Sequence, residues 1–163
     1  MGNGPYFSEF LLCVRELLQA PEVQRMHTIP QHVKAVDCYE HCLFVAFLAY
    51  RLCRRLGWDA RAAARAGLLH DLYLCDWGKA GVGPVERLLV HPRMAVDNAR
   101  RFGLSPKEEG IILTHMWPVT PAALPRSREA VAVNLADKLA TLAEVTHTYR
   151  WFGLRPGLAL ASG

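Results

Sequence analysis

The sequence lacks any apolar run long enough to cross a bilayer. Residues 42–50 form the longest such run, and Arg51 ends it, far short of the roughly 20 apolar residues that a transmembrane helix needs. The first residues also lack a positively charged stretch followed by an apolar one, so we expect no secretory signal. We therefore predict a protein that works without a membrane partner.

Cysteine pairs of metal-binding or redox spacing are also missing. The five cysteines are Cys13, Cys38, Cys42, Cys53 and Cys75, and no two form a Cys-x-x-Cys motif. An odd, unpatterned set is typical of reduced, mostly buried thiols, which indicates a cytoplasmic protein. Cys38 and Cys42 are four residues apart and could bind zinc as thiolates, but no second cysteine pair accompanies them, so two buried thiols is the favoured interpretation.

Charge is sparse and mixed. Of the 163 residues, 21% are charged and 52% are hydrophobic, which excludes a disordered chain and favours one compact domain. The net charge of +4 is spread over several basic pairs, with no basic stretch interleaved with aromatic residues. We therefore predict no nucleic-acid partner and, at most, a weak positive field that attracts a phosphorylated small molecule. The sequence gives no prediction of oligomeric state.

No segment shows the alternation of a half-buried strand, and nearly every apolar pattern has helical spacing. We predict helices over residues 6–19, 36–56, 60–70, 92–102, 106–117 and 128–149, and a glycine-rich loop over 76–84. The residues expected to begin, cap or end these helices are Gly57, Asp59, Pro92, Ser105 and Ser127. The expected organisation is an N-terminal helix packing on the core (1–30), a central helical domain (31–150) and a flexible tail (151–163).

Six residues with metal-binding side chains fall inside or at the edge of these apolar segments. They are His41, His70, Asp71, His91, His115 and Asp137. Each interior residue shares a helical face with apolar residues, and His91 precedes Pro92 at a predicted helix start. Burying an imidazole or a carboxylate costs free energy unless it finds a partner. A pair of metal ions at the centre of the bundle is the simplest partner that all six could share.

The order His41, His70-Asp71, Asp137 resembles the signature of the HD-domain superfamily of metal-dependent phosphohydrolases, over roughly residues 31–148. This resemblance implies an all-α, HD-domain-like helical bundle with a metal site at its centre. His91 and His115 resemble the two extra ligands of a two-metal subset of that superfamily. By this analogy, His41, His70, Asp71 and Asp137 would bind one ion. His91 and His115 would bind a second ion, with Asp71 bridging the two.

The implied cofactors are two divalent metal ions. Mixed nitrogen and oxygen ligands favour Fe or Mn, with Ni, Co, Mg and Zn as alternatives. One feature departs from the two-metal groups, because the glycine and lysine that often follow their His-Asp doublet are absent here. We therefore do not transfer any specific cyclic dinucleotide substrate to this chain.

The resulting functional hypothesis is a phosphomonoesterase or phosphodiesterase acting on a nucleotide or another small phosphorylated metabolite. A metal-activated hydroxide would attack phosphorus, with Asp71 and His70 as catalytic residues. Candidate substrate contacts are His32, Lys79, Arg93 and Lys138. Two alternatives stay open: a mixed-valence di-iron oxygenase of the inositol oxygenase kind, and a non-catalytic, metal-stabilised ligand-binding domain.

Overall fold

The computed structural model describes residues 5–33 and 35–148, in which eight α-helices and no β-strand are found. The helices are α1 (Pro5–Leu18), α2 (Pro21–Gln24), α3 (Cys38–Leu56), α4 (Ala60–Leu69), α5 (Trp77–Ala80), α6 (Pro84–Ala99), α7 (Pro106–Thr114) and α8 (Arg128–Val145). Short 3₁₀ turns follow α2 and α6, at Arg25–Thr28 and Arg100–Phe102. The predicted all-α fold is confirmed.

Helix α3 forms the centre of the bundle and is buried along most of its length. It begins two residues later than predicted, because the side chain of Asp37 accepts a hydrogen bond from the backbone N–H of Glu40 and completes a capping box. Gly57 ends α3 with φ of 69°, as its position predicted. The helix packs most extensively against α4 and then against α8.

Helix α4 lies unusually close to α3. Its body is rich in alanine, Asp59 caps it through the N–H of Ala62, and a Cβ added at Gly67 would lie 2.9 Å from the Cα of Ala46. Only a residue without a side chain fits such a backbone approach. This contact fixes the end of α4, where His70 and Asp71 follow, against α3.

Helix α6 differs from the sequence prediction. It begins at Pro84 rather than Pro92, so His91 and Pro92 lie in the helix interior and not at its start. Proline inside a helix leaves the carbonyl four residues earlier without its N–H donor. That residue is Leu88, which is exposed, so water can replace the missing donor.

The glycine-rich segment 76–84 also differs from its prediction, because it contains the single-turn helix α5, whose start is capped by Asp76. Ser105 and Ser127 cap α7 and α8 as predicted. Helix α8 ends at Val145, so the prediction that it continues through residue 148 is wrong, since His147 adopts a left-handed backbone conformation with φ of 56°. Residue 149 and the predicted tail 151–163 lie outside the described residues. Among the helices described, none combines the length and the apolar character that spanning a membrane requires.

Candidate metal centre

Four histidines from four helices meet in the bundle interior. His41 lies in the first turns of α3, His70 and His115 are the C-terminal caps of α4 and α7, and His91 lies within α6. All four are buried. Asp71 follows α4 directly, and Asp137 enters from α8. The structure thus brings together all six residues that the sequence selected.

Three of the imidazoles are oriented by the backbone of their own helices. Nδ1 of His70 lies 2.7 Å from the carbonyl of Gly67, Nδ1 of His91 lies 2.8 Å from that of Arg87, and Nδ1 of His115 lies 2.7 Å from that of Ile112. A carbonyl only accepts, so each neutral ring carries its proton on Nδ1. Each Nε2 lone pair is therefore presented to the interior, as a metal ligand requires.

His41 is held between two carboxylates of α8. Its Nδ1 lies 2.8 Å from Oε1 of Glu144, and its Nε2 lies 3.2 Å from Oδ1 of Asp137. Sequence reasoning missed Glu144, although a signal was present. Glu144 follows Asp137 by two helical turns, and this spacing places the two carboxylates on one face.

Asp71 faces both halves of the cluster. Its Oδ1 lies 3.3 Å from Nε2 of His91 and 3.6 Å from Nε2 of His115, whereas its Oδ2 lies 3.7 Å from Nε2 of His70. The amide of Gln31 donates a hydrogen bond of 2.7 Å to Oδ2 and accepts one from the hydroxyl of Tyr73. Gln31 lies in a segment without periodicity, so no sequence pattern pointed to it.

Whether cations fit the cluster can be judged from its buried polar atoms that lack a hydrogen-bond partner. Within the described ranges, Nε2 of His70 and Oδ1 of Asp71 are buried without a hydrogen-bond partner. Nε2 of His91 and Nε2 of His115 lie 2.9 Å apart, and their two lone pairs would repel each other. Two nitrogens on adjacent corners of one ion, each about 2.1 Å from it, lie about 3 Å apart. The donor set therefore fits divalent cations.

Two of the groups of potential ligand atoms consist entirely of residues that the sequence selected, and these two groups share Asp71. One group comprises His41, His70 and Asp71, and the other comprises Asp71, His91 and His115. Asp137 adjoins the first group, with Oδ1 3.7 Å from Nε2 of His70. This division matches the two ligand sets that the family resemblance implied.

The charged and titratable side chains of the cluster shift one another's pKa values. Burial opposes ionisation of Asp71, yet the imidazoles of His70, His91 and His115 hold the pKa of its carboxyl well below the usual range. Burial lowers the pKa of His115 to about 4, and His70 adds to this effect. His41 differs: burial alone would lower its pKa, but Asp137 and Glu144 raise it well above the ordinary value. His41 and His70 oppose the effect of burial on Asp137 and hold the pKa of its carboxyl low as well, so Asp71 and Asp137 are both ionised, the state in which a carboxylate binds metal.

A cleft of about 480 Å³ opens onto the cluster, and His91, His115, Asp71 and Asp137 form part of its wall. Such a volume suits a small molecule or one terminal unit of a longer chain. The other polar residues that line the cleft are Gln31, His32, Tyr73, Arg87, Lys138 and Thr141, with Trp77 among the apolar ones. The sequence analysis had not selected Arg87, which lies one helical turn before His91.

Of the four candidate substrate contacts, two line the cleft and two lie outside it. His32 lines the cleft beside Thr141, and Lys138 lines it with Nζ 3.2 Å from the carbonyl of His115. Two expectations need correction. Lys79 is on the surface and pairs with Asp76, because the loop folds into α5 instead of reaching the site. Arg93 lines a separate groove between α6 and α7, since it is two residues past His91 on the helix.

The comparisons with known proteins agree with this geometry. The family model described as HD domain matches residues 38–142, more than half of the chain and including all six clustered residues. The chain belongs to the HD domain family, whose members bind divalent metal ions and include metal-dependent phosphohydrolases.

Similar proteins include ribonuclease Y of Geobacter sulfurreducens, 39% identical over 104 residues, which cover 64% of this chain and 18% of that protein. Ribonuclease Y of Geotalea uraniireducens is 37% identical over 104 residues, with the same coverage. Ribonuclease Y of Bacillus subtilis is 30% identical over 139 residues, which cover 76% of this chain and 25% of that protein. The chain thus spans no more than a quarter of the length of these relatives.

Proposed function

We propose that this chain is a two-metal phosphohydrolase that cleaves a phosphomonoester or phosphodiester of a nucleotide or another small phosphorylated metabolite. The observation that carries the proposal is the convergence of four imidazoles and two carboxylates in one buried cluster, of which His91, His115, Asp71 and Asp137 reach the wall of a cleft. Membership of a family of hydrolases supports it. The metals favoured by the ligand chemistry are iron and manganese.

When bound, two divalent ions activate water for attack on phosphorus and withdraw charge from the phosphoryl oxygens. Asp71 bridges the two ligand groups through its two oxygens, which point to different sides of the cluster. Gln31 fixes the rotation of this carboxylate by donating to Oδ2. The residues therefore set the spacing of the reacting groups before the substrate arrives.

The substrate end of the cleft is cationic and aromatic. Lys138 is positioned by the carbonyls of His115 and Asn134, and Arg87 reaches the cleft from α6. Both cations can pair with phosphoryl oxygens. Tyr73 and Trp77 lie with ring centroids 5.1 Å apart at the cleft, and this pair offers an apolar surface for the organic part of the substrate.

RNA is a second candidate substrate, favoured by the similarity to proteins named ribonuclease Y. The sequence has no basic stretch interleaved with aromatic residues, and this favours a nucleotide or other small phosphorylated metabolite over RNA. The lack of a nucleic-acid partner stays a prediction. A comparison of turnover on nucleoside phosphates and on short single-stranded RNA distinguishes the two substrates.

The test uses protein reconstituted with Mn²⁺ or Fe²⁺ and measures phenol release from aryl phosphates and aryl phosphodiesters, phosphate release from nucleotides, and cleavage of short RNA into shorter products. We expect turnover on at least one of these by the wild type and none by Asp71→Ala, with an unchanged far-ultraviolet circular dichroism spectrum. Equal turnover by Asp71→Ala would contradict the proposal. Oxygen consumption without phosphate release would indicate the di-iron oxygenase, and thermal stabilisation by a ligand without turnover would indicate a binding domain.

A further inference from the structure

Glu144 is a buried carboxylate of α8 that contacts the ring of His41. It is 2% exposed, and its Oε1 lies 2.8 Å from Nδ1 of His41. Its second oxygen, Oε2, has no hydrogen-bond partner in the part of the chain that the structure describes. Burying a carboxylate with so little compensation destabilises the folded state. A residue retained at such a cost calls for a role beyond filling space between α3 and α8.

His41 is the exception among the four histidines. The other three direct Nδ1 to a backbone carbonyl three or four residues earlier in the chain. His41 instead directs Nδ1 to a carboxylate 103 residues away on another helix. A carboxylate is a stronger acceptor than a carbonyl, and it makes the opposite nitrogen of the ring more basic.

The same helix contacts both nitrogens of this ring. Asp137 faces Nε2 at 3.2 Å, and Glu144 faces Nδ1. Asp137 belongs with the first group of potential ligands, whereas Glu144 is on the far side of the ring from that group. Glu144 also lies just beyond the residues that match the family model, 38–142.

We propose that Glu144 is the positioning residue of His41, which holds the Nδ1–H tautomer and strengthens Nε2 as a ligand of the first metal group. This inference rests on the proposed function, because it assumes that His41 binds a metal ion. Glu144 itself touches no substrate. It raises the affinity of the first ligand group for its metal ion. Metal binding by the second ligand group, Asp71, His91 and His115, does not depend on Glu144.

The experiment is equilibrium titration of Mn²⁺ into metal-free protein, with free Mn²⁺ measured by its electron paramagnetic resonance signal. Glu144→Gln keeps the shape but removes the charge, and its amide can also present N–H groups to Nδ1. We expect it to lose about 10- to 100-fold in affinity at one of two sites, the range typical of such orienting partners. Glu144→Asp, with a shorter but charged side chain, should recover part of this loss.

Glu129→Gln is the matched control, because Glu129 is also a buried glutamate of α8, and its Oε1 accepts a hydrogen bond from the backbone of Asp59 outside the site. It should bind Mn²⁺ like the wild type. If Glu144→Gln also binds like the wild type, the inference is wrong while the proposed function stands. If the wild type itself binds no Mn²⁺, Fe²⁺ or other divalent ion, the proposed function fails.

Discussion

The close approach of α4 to α3 at Gly67 predicts a coupled loss of stability and metal affinity in Gly67→Ala. The added Cβ would lie 2.9 Å from the Cα of Ala46. Carbon atoms pack at about 3.5 Å or more, so the helices must separate by roughly half an ångström. Overpacking of this kind costs about 1–3 kcal/mol, and the better helix propensity of alanine returns up to about 1 kcal/mol. We expect a net loss of about 1–2 kcal/mol in the free energy of unfolding.

The metal centre should respond to the same shift. The carbonyl of Gly67 accepts the hydrogen bond that orients His70, and Asp71 follows directly. Metal–ligand distances tolerate changes of only about 0.2 Å, so the separation should weaken binding at the group formed by His41, His70 and Asp71. Urea denaturation measures the stability, and Mn²⁺ titration measures the affinity.

Gly110→Ala is the matched control. Gly110 lies inside α7, and, apart from its chain neighbours and the backbone of its own helix, no described atom lies within 4 Å of a Cβ added there. This variant should gain about 0.5–1 kcal/mol from helix propensity alone and bind metal like the wild type. Equal gains in stability for the two glycine variants would refute the reasoning about close packing. A destabilised Gly67→Ala protein with unchanged metal affinity would refute the link between that packing and the site.

Two further predictions concern stability. Glu108→Ala should lower the free energy of unfolding in urea by about 3–5 kcal/mol, because it leaves the buried guanidinium of Arg65 without its carboxylate and removes a capping box. Glu109→Ala, which breaks a surface ion pair with Arg100, should lower it by less than about 1 kcal/mol. Similar losses in the two variants would contradict this. The hydrogen bond from the Ala62 N–H, opposed by burial and aided by Lys107, lowers the pKa of Asp59. Ionised Asp59 therefore stabilises the fold above the unfolded pKa of about 3.9, and this stabilisation is lost as pH falls through the folded pKa. Between about pH 5 and pH 3, the free energy of unfolding should fall less in Asp59→Asn than in the wild type. The same pH profile in both proteins would contradict this.

The sequence was sufficient for features that depend on local chemistry. Capping by Asp59, Ser105 and Ser127 and the left-handed Gly57 follow from residue types at helix ends, so those boundaries were predicted. Helical spacing predicted the inward placement of the interior histidines and of Asp137, whereas the division into two ligand groups followed from the family resemblance.

The sequence was insufficient where tertiary context decides. Pro92 suggested a helix start, but exposure of Leu88 lets α6 continue through it. Lys79 could not be placed without knowing that its loop forms a helical turn capped by Asp76. Gln31 reaches Asp71 across 40 residues of sequence, and no periodicity signals such a contact.

The measurement that tests the central claim most directly is the metal content of tag-free protein purified without chelator, by elemental mass spectrometry. The account predicts about two divalent ions per chain, and about one in His91→Ala, which removes a ligand of the second group only. Protein that carries no ion, and stays empty when offered Mn²⁺ or Fe²⁺, would contradict it.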